Sequence, residues 1–467
     1  LLSVARFGVL DREVVTDDER VYRFQAELLA DGKAALPAPE LAEFHTNVFV
    51  DTVGGRWLGQ YPPGHPLVLA PFEAMGLADV VPVLLGVLGV LCAGLLFRML
   101  AGTGVGGVGA LLLAVSPLFV LTGATLLSHS TSFLAFTLSL YGAVRHVRHG
   151  RAWSALLCGA AWGLLFLARP YTAVTLGLVA PALLLTHALR FRSWKGVGLA
   201  LLPAALSGIG FLAYNAAATG SAWTTGYDAL RRSGAIEFGF GTIVAGYHDH
   251  TPLQGFKNAG ILGLRYLFWI AGAPVLVLAG AWAFRDRKLR PSVRVAWACL
   301  AVGLVSYVPY WAIGVNDTGP VKMFELLLPG VFLVAVGLVR LGRERTEGWP
   351  AGLMVAGATA AAMVFWPPQV GHLRDIVRYV REPLDLVQNQ VELPALVFVQ
   401  NVQPPEGRCW VYGRPIPKPD LSDPILYVRD LGPRNLAFWR LHENRHPYRL
   451  EYRDNGFVVL PLRVMQR

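Results

Sequence analysis

Apolar runs of about 20 residues, the length that crosses a bilayer core, recur along most of this chain. They fall at 79–100, 103–123, 130–147, 152–168, 171–190, 196–216, 262–284, 294–313, 322–341 and 349–366. The pattern predicts a polytopic, all-α membrane domain. The opening "LLSVARFGVL" is too short to cross and reads as the end of a further span, so the expected total is about eleven spans, the first truncated. Past residue 366 the period changes. Short β-prone runs at 395–400, 409–413, 425–432, 448–453 and 456–462, broken by Pro, Gly and Asp, surround one helical stretch at 434–443. The expected organisation is a membrane domain over 1–366, with outer loops 11–78 and 217–261, followed by a small α/β soluble domain over 367–467.

Basic residues set the orientation, because short cytoplasmic connections carry an excess of Lys and Arg. "RHVRHGR" (145–151), "RFRSWK" (190–195), "RDRKLRPSVR" (285–294) and "RLGRER" (340–345) alternate with the nearly uncharged "TLLSHS" (125–130), "ARPYT" (168–172) and "GVNDTGP" (314–320). The second set faces outward, and the long loops and the tail go with it. The expected placement is a plasma membrane, with the soluble parts extracytoplasmic.

Composition agrees: 54% of residues are hydrophobic and 15% charged, with a mean hydropathy of +0.46. The net charge of +10 suggests nucleic acid until the basic loops are counted; anionic lipid headgroups account for those. Nucleic acid is therefore not an expected partner. Cys92, Cys158 and Cys299 lie in spans and Cys409 in the tail, which excludes an intrachain disulfide framework. "GTGVGG" (102–107) matches a dinucleotide fingerprint by letter alone: no strand precedes it and a lipid-length helix follows. Close helix contact through small residues is its expected role.

The densest chemistry lies in the first outer loop. Asp17, Asp18 and Glu19 open an amphipathic helix, "VYRFQAELLADG", that ends at Gly32. Acids in a first turn stabilise a helix by up to about 1 kcal/mol each, which explains one or two of the three and leaves room for a catalytic carboxylate. Tyr61 and His65 follow in "QYPPGHP" at an expected membrane interface. Arg169 and Lys322 sit at outward span ends. His129 begins a span, and Glu325 lies a turn inside one, where a lone carboxylate is expensive and Lys322 at i−3 is an available partner. His248, Asp249 and His250 in "GYHDHTP" (246–252) are a weak metal set with no third or fourth ligand type nearby. They read better as a loop contacting a sugar or as a solvated turn. Many spans with embedded charge also describe secondary transporters, though here the charges gather at outward span ends and no internal repeat is visible.

The acidic pair Asp18 and Glu19 after the first span, "YPPGHPL" (61–67) before the second, "YNAAATGSAWTTGY" (214–227) and "NDTGPVKMFELLLPG" (316–330) together resemble the GT-C superfamily of polyprenyl-phosphate-sugar-dependent glycosyltransferases, in the branch of the protein O-mannosyltransferases and aminoarabinose transferases. Members often carry Arg shortly after the late Gly-Pro, where this chain has Val321 and Lys322. The resemblance implies sugar transfer from a polyprenyl phosphate to an acceptor hydroxyl on a glycan, lipid or protein, with inversion. It implies Asp18 as base, Glu19 orienting it and Asp17 able to substitute for either. Arg169, Lys322 and His129 would hold the leaving phosphate, with Tyr61, His65, Glu325 and the 248–250 group contacting carrier or sugar. No cofactor is required by this chemistry, and a divalent metal is a minor alternative.

Overall fold

A computed structural model describes residues 1–230, 238–242, 249–311, 314, 317–344, 349–400, 414–453 and 456–462. The chain divides into two compact units: Leu1–Val9, Asp79–Phe211 and Arg232–Leu373 form the first, and Leu10–Ala78, Leu212–Arg231 and Arg374–Arg467 the second. The second unit is thus assembled from three stretches. The expected boundary at 366/367 falls inside helix: a π-helical turn, Ala361–Phe365, leads without interruption into the helix Trp366–Gln390.

The first unit is helical throughout its apolar length. Among the described residues, the runs Ala78–Ala101 and Lys195–Thr219 are long and apolar enough to cross a membrane, and Thr103–Val115 with Pro117–Gly123 makes a third if the pair, bent by 54°, is one span. The bend follows from Ser116–Pro117: proline lacks the N–H that would continue the ladder, and the Ser116 hydroxyl caps the new helix at Phe119 N. Window hydropathy is blind to such breaks. It joined 262–284 into one span where the structure has Pro252–Trp269 and Pro274–Trp282 separated at Gly272, whose φ is +66°. It likewise joined 171–190 across a break at Thr175. A total of about eleven spans is therefore not reached by length and apolarity alone.

Small residues bring these helices together as "GTGVGG" suggested. A Cβ on Gly106 would lie 2.9 Å from the Gly94 carbonyl of the neighbouring helix, and one on Gly159 would be 1.9 Å from the Ala200 carbonyl. Substitution at either site forces helices apart.

The second unit contains the expected α/β element. Ala395–Val399 is buried along its whole length and runs parallel to Ile425–Arg429 and His446–Arg453; Gly456–Pro461 closes the sheet antiparallel. One face carries Leu396, Phe398, Leu426, Val428 and Phe438 with Phe44 of the first loop. The other carries Val397, Tyr427 and Leu450 against Val387. A strand covered on both faces reads as continuous apolar sequence, as "ALVFV" does. The expected strand at 409–413 lies outside the described residues, and the expected helix at 434–443 is the shorter Asn435–Arg440. A second, three-stranded sheet orders Leu36–Pro37, Arg56–Gly59 and Val50–Val53 with the longest strand pair antiparallel.

Candidate active site

In the second unit the acid cluster begins the helix Asp17–Ala30, and the cap is Thr16. Its hydroxyl accepts from Glu19 N, while Glu19 Oε1 accepts from Thr16 N at 3.2 Å and Val15 N at 3.1 Å. This is a capping box, and it accounts for the complete burial of Glu19. The three acids therefore have separate surroundings. Glu19 fixes where the helix starts, Asp17 is half-buried at the first position, and Asp18 at the second turns toward an aromatic group.

Asp18 Oδ1 accepts a hydrogen bond from the Tyr61 hydroxyl. Burial first, and then the Asp18 charge, pushes the Tyr61 phenol up, so it stays a donor. Tyr61 stacks on Tyr22 with centroids 4.5 Å apart, and His65, buried in the first turn of Gly64–Glu73, meets Tyr22 edge-on at 4.8 Å. Gln25 holds this arrangement, a residue sequence reading passed over. Its amide accepts from Tyr61 N at 3.2 Å and donates to Tyr61 O at 2.7 Å and to Tyr214 Oη at 2.7 Å. Gly59 permits the approach, since a Cβ there would come within 2.8 Å of the Gln25 side chain. The signal was present in the spacing: Asp18, Tyr22 and Gln25 are i, i+4 and i+7 on one helix face.

Asp17 is different. Burial raises its pKa to about 7; Arg20 opposes the rise and Asp18 adds to it. The nearest Arg20 nitrogen is 3.9 Å away, too far for a hydrogen bond. A carboxyl with a folded pKa above its ordinary 3.8 holds its proton more tightly when folded, so its contribution to stability falls as pH rises from about 4 to about 7. Asp17→Asn removes that dependence. The melting temperature of the variant should gain on the native protein between pH 5 and pH 8; a gap that stays constant with pH would place the Asp17 carboxylate in solvent.

In the first unit a compact charged group forms around Glu325, which is 1% exposed. Arg169 Nε lies 3.3 Å from Glu325 Oε1 and His129 Nδ1 lies 3.7 Å from the same oxygen. The Ser132 hydroxyl donates to it as well. Arg169 also reaches His129 Nε2 at 3.2 Å, Ser128 Oγ at 3.5 Å and Thr172 Oγ1 at 3.4 Å. The Glu325 partners are thus Arg169 and His129, supplied by other helices, in place of the i−3 lysine expected. Lys322 lies against aromatic rings, its Nζ 4.4 Å from the Tyr310 centroid and 5.4 Å from that of Tyr307, a cation–π arrangement. His129 opens the helix His129–His149, as its place in the sequence suggests, and is buried in the ion cluster.

The 246–252 group contributes less. His248 lies outside the described residues. Asp249 is exposed, and His250 is buried with Nε2 3.0 Å from the Val308 carbonyl and its ring stacked on Phe240. Among the described residues no group of three metal-ligand side chains converges.

Residues 75–214 match a family model described as dolichyl-phosphate-mannose-protein mannosyltransferase. That stretch contains His129 and Arg169 but neither the acids nor Lys322. The fold is similar to that of ArnT from Cupriavidus metallidurans bound to undecaprenyl phosphate, at 14% identity, covering 98% of this chain and 96% of that one with a TM-score of 0.59. Its apo form gives 14% identity, 98% and 95% coverage and a TM-score of 0.55. A weaker likeness is to the apo oligosaccharyltransferase of Archaeoglobus fulgidus, at 11% identity, 89% and 62% coverage and a TM-score of 0.46. No curated protein sequence matches the chain. The family match is confined to residues 75–214, and the likeness to ArnT shows a shared fold over nearly the whole chain. The fold is ArnT-like, and among the described residues it includes helices long and apolar enough to cross a membrane.

Proposed function

We propose that this protein transfers a sugar from a polyprenyl phosphate to an acceptor hydroxyl at the outer face of a bacterial inner membrane, with Asp18 as general base. Asp18 accepts the acceptor's proton as its oxygen bonds to the anomeric carbon; the bond from that carbon to the phosphate oxygen breaks, and polyprenyl phosphate departs. One base on the face opposite the leaving group gives inversion, by the logic that separates inverting from retaining glycosidases. The Tyr61 hydroxyl aims Asp18 through its hydrogen bond, and Glu19 positions it through the cap. Arg169, with His129 and Glu325 fixing its guanidinium, and Lys322 supply charge for the departing phosphate. Tyr22 and His65 complete an aromatic wall beside the base, and Asp249 with His250 is assigned to the sugar side. No metal is needed for any of these steps.

The observation that carries this reading is the separation of roles within the acid cluster: Glu19 is consumed by the cap and half-buried Asp17 lies beside Arg20, while Asp18 faces a tyrosine donor. ArnT has been seen with undecaprenyl phosphate bound, which supports a carrier of that class. Proteoliposomes containing the protein and a hydroxyl acceptor should accept radiolabelled sugar from undecaprenyl phosphate and not from a nucleotide sugar. Label transferred from the nucleotide sugar alone would overturn the donor assignment, and label crossing the bilayer without transfer would make the protein a transporter.

A further inference from the structure

The first unit holds an apolar cavity of about 540 Å3 at the other end of the helix that begins with His129. Its walls include Phe97 of Val81–Ala101, Leu140 of His129–His149, Leu183 of Val179–Phe191, Ala296 of Arg290–Ser306 and Phe332 of Leu327–Glu344. The size falls within the roughly 300–1,000 Å3 of pockets that hold small ligands. One charged side chain shares the described lining, Arg148. It is exposed, and its guanidinium donates to the Met99 carbonyl. From His129 to Arg148 the helix rises about 28 Å at 1.5 Å per residue, close to the thickness of a bilayer core, so the cavity's charged end and the Arg169–Glu325 cluster lie at opposite membrane surfaces.

Three lining helices run directly into basic connections at that end: 145–151, 190–195 and 285–294. Apolar walls, an arginine at the rim and a basic surround select a ligand with an alkyl chain and an anionic head. An empty apolar void forfeits dispersion contacts, and in a membrane lipid chains are at hand to fill it. We propose that this cavity is a binding site for an anionic glycerophospholipid of the leaflet that the basic connections face, one acyl chain in the cavity and the phosphate on Arg148. A polyprenyl phosphate fits less well, because its phosphate belongs with Arg169 at the far surface and would leave the charge at Arg148 unmatched.

This inference concerns a resident lipid and rests on the proposed function only in setting polyprenyl phosphate aside. The test is binding of dioleoyl phosphatidylglycerol and dioleoyl phosphatidylcholine to the full chain in detergent, followed by native mass spectrometry and thermal melting. Phosphatidylglycerol should bind at least tenfold more tightly than phosphatidylcholine. Arg148→Gln should bring the two together while its lipid-free melting temperature stays native, since Arg148 is exposed. Ala296→Trp, which fills the cavity, should abolish binding of both. Equal affinity for the two lipids in the native protein, or unchanged selectivity in Arg148→Gln, would overturn the site. Undecaprenyl phosphate displacing bound phosphatidylglycerol one for one would overturn it too, by giving the cavity to the carrier.

Discussion

Asp18→Asn should lower the rate of sugar transfer by about 10²-fold or more while leaving the melting temperature within experimental error of the native value. Asparagine keeps the size of the side chain and still accepts from the Tyr61 hydroxyl, so the local arrangement around Tyr22 and Gln25 survives. What it lacks is the capacity to take a proton. The helix start is also unaffected, because Thr16 and Glu19 make the cap. Glu19→Gln should behave differently: a glutamine at this position preserves part of the capping box, so both stability and rate should fall modestly together. A rate loss larger at Asp17→Asn than at Asp18→Asn would move the base to Asp17.

The second large effect belongs to Arg169. Its guanidinium contacts Glu325, His129, Ser128 and Thr172 at once, and Glu325 is buried. Arg169→Gln leaves that carboxylate without its principal counter-charge, and removing one partner of a buried pair costs about 3–5 kcal/mol. The expected result is a marked drop in melting temperature. Glu325→Gln in the same chain should recover much of it, since neutralising both partners leaves no buried charge, and the double-mutant cycle isolates the coupling. Carrier use separates structure from function here: the stabilised double variant should still show a raised KM for the lipid-phosphate donor, because charge aimed at the phosphate is gone. A double variant with native KM would leave Lys322 as the phosphate ligand. Arg169→Lys should not rescue, because an ammonium cannot address carboxylate and imidazole together.

Much of this architecture was written in the spacing of apolar residues. The helices at 152–168 and 195–219, the strand at 395–399 and the helix ending before Gly32 follow from one-dimensional pattern, because lipid-length apolar runs, β-branched stretches and a left-handed glycine are local properties. Breaks at Ser116–Pro117 and Gly272 were also local signals, but hydropathy averaged over a window smooths them away. The site divides in the same manner. Asp18 and Tyr61 were readable as chemistry-bearing residues in motifs. The Gln25 clamp and the pairing of Glu325 with Arg169 and His129 were not, because those contacts join residues 36, 156 and 196 positions apart and depend on which helix faces come together. Sequence neighbours suggested Lys322 for Glu325, since among the positions three or four residues away only Lys322 carries a positive charge. Tertiary contact supplied other cations.

The most direct test of the central claim is product analysis in a proteoliposome reaction with a stable-isotope-labelled sugar on undecaprenyl phosphate. The account predicts a glycoside of anomeric configuration opposite to that of the donor, one undecaprenyl phosphate released per sugar transferred, and neither product above background with Asp18→Asn. Retained configuration would require a covalent glycosyl intermediate or a second base, and would contradict single displacement with Asp18 as the base.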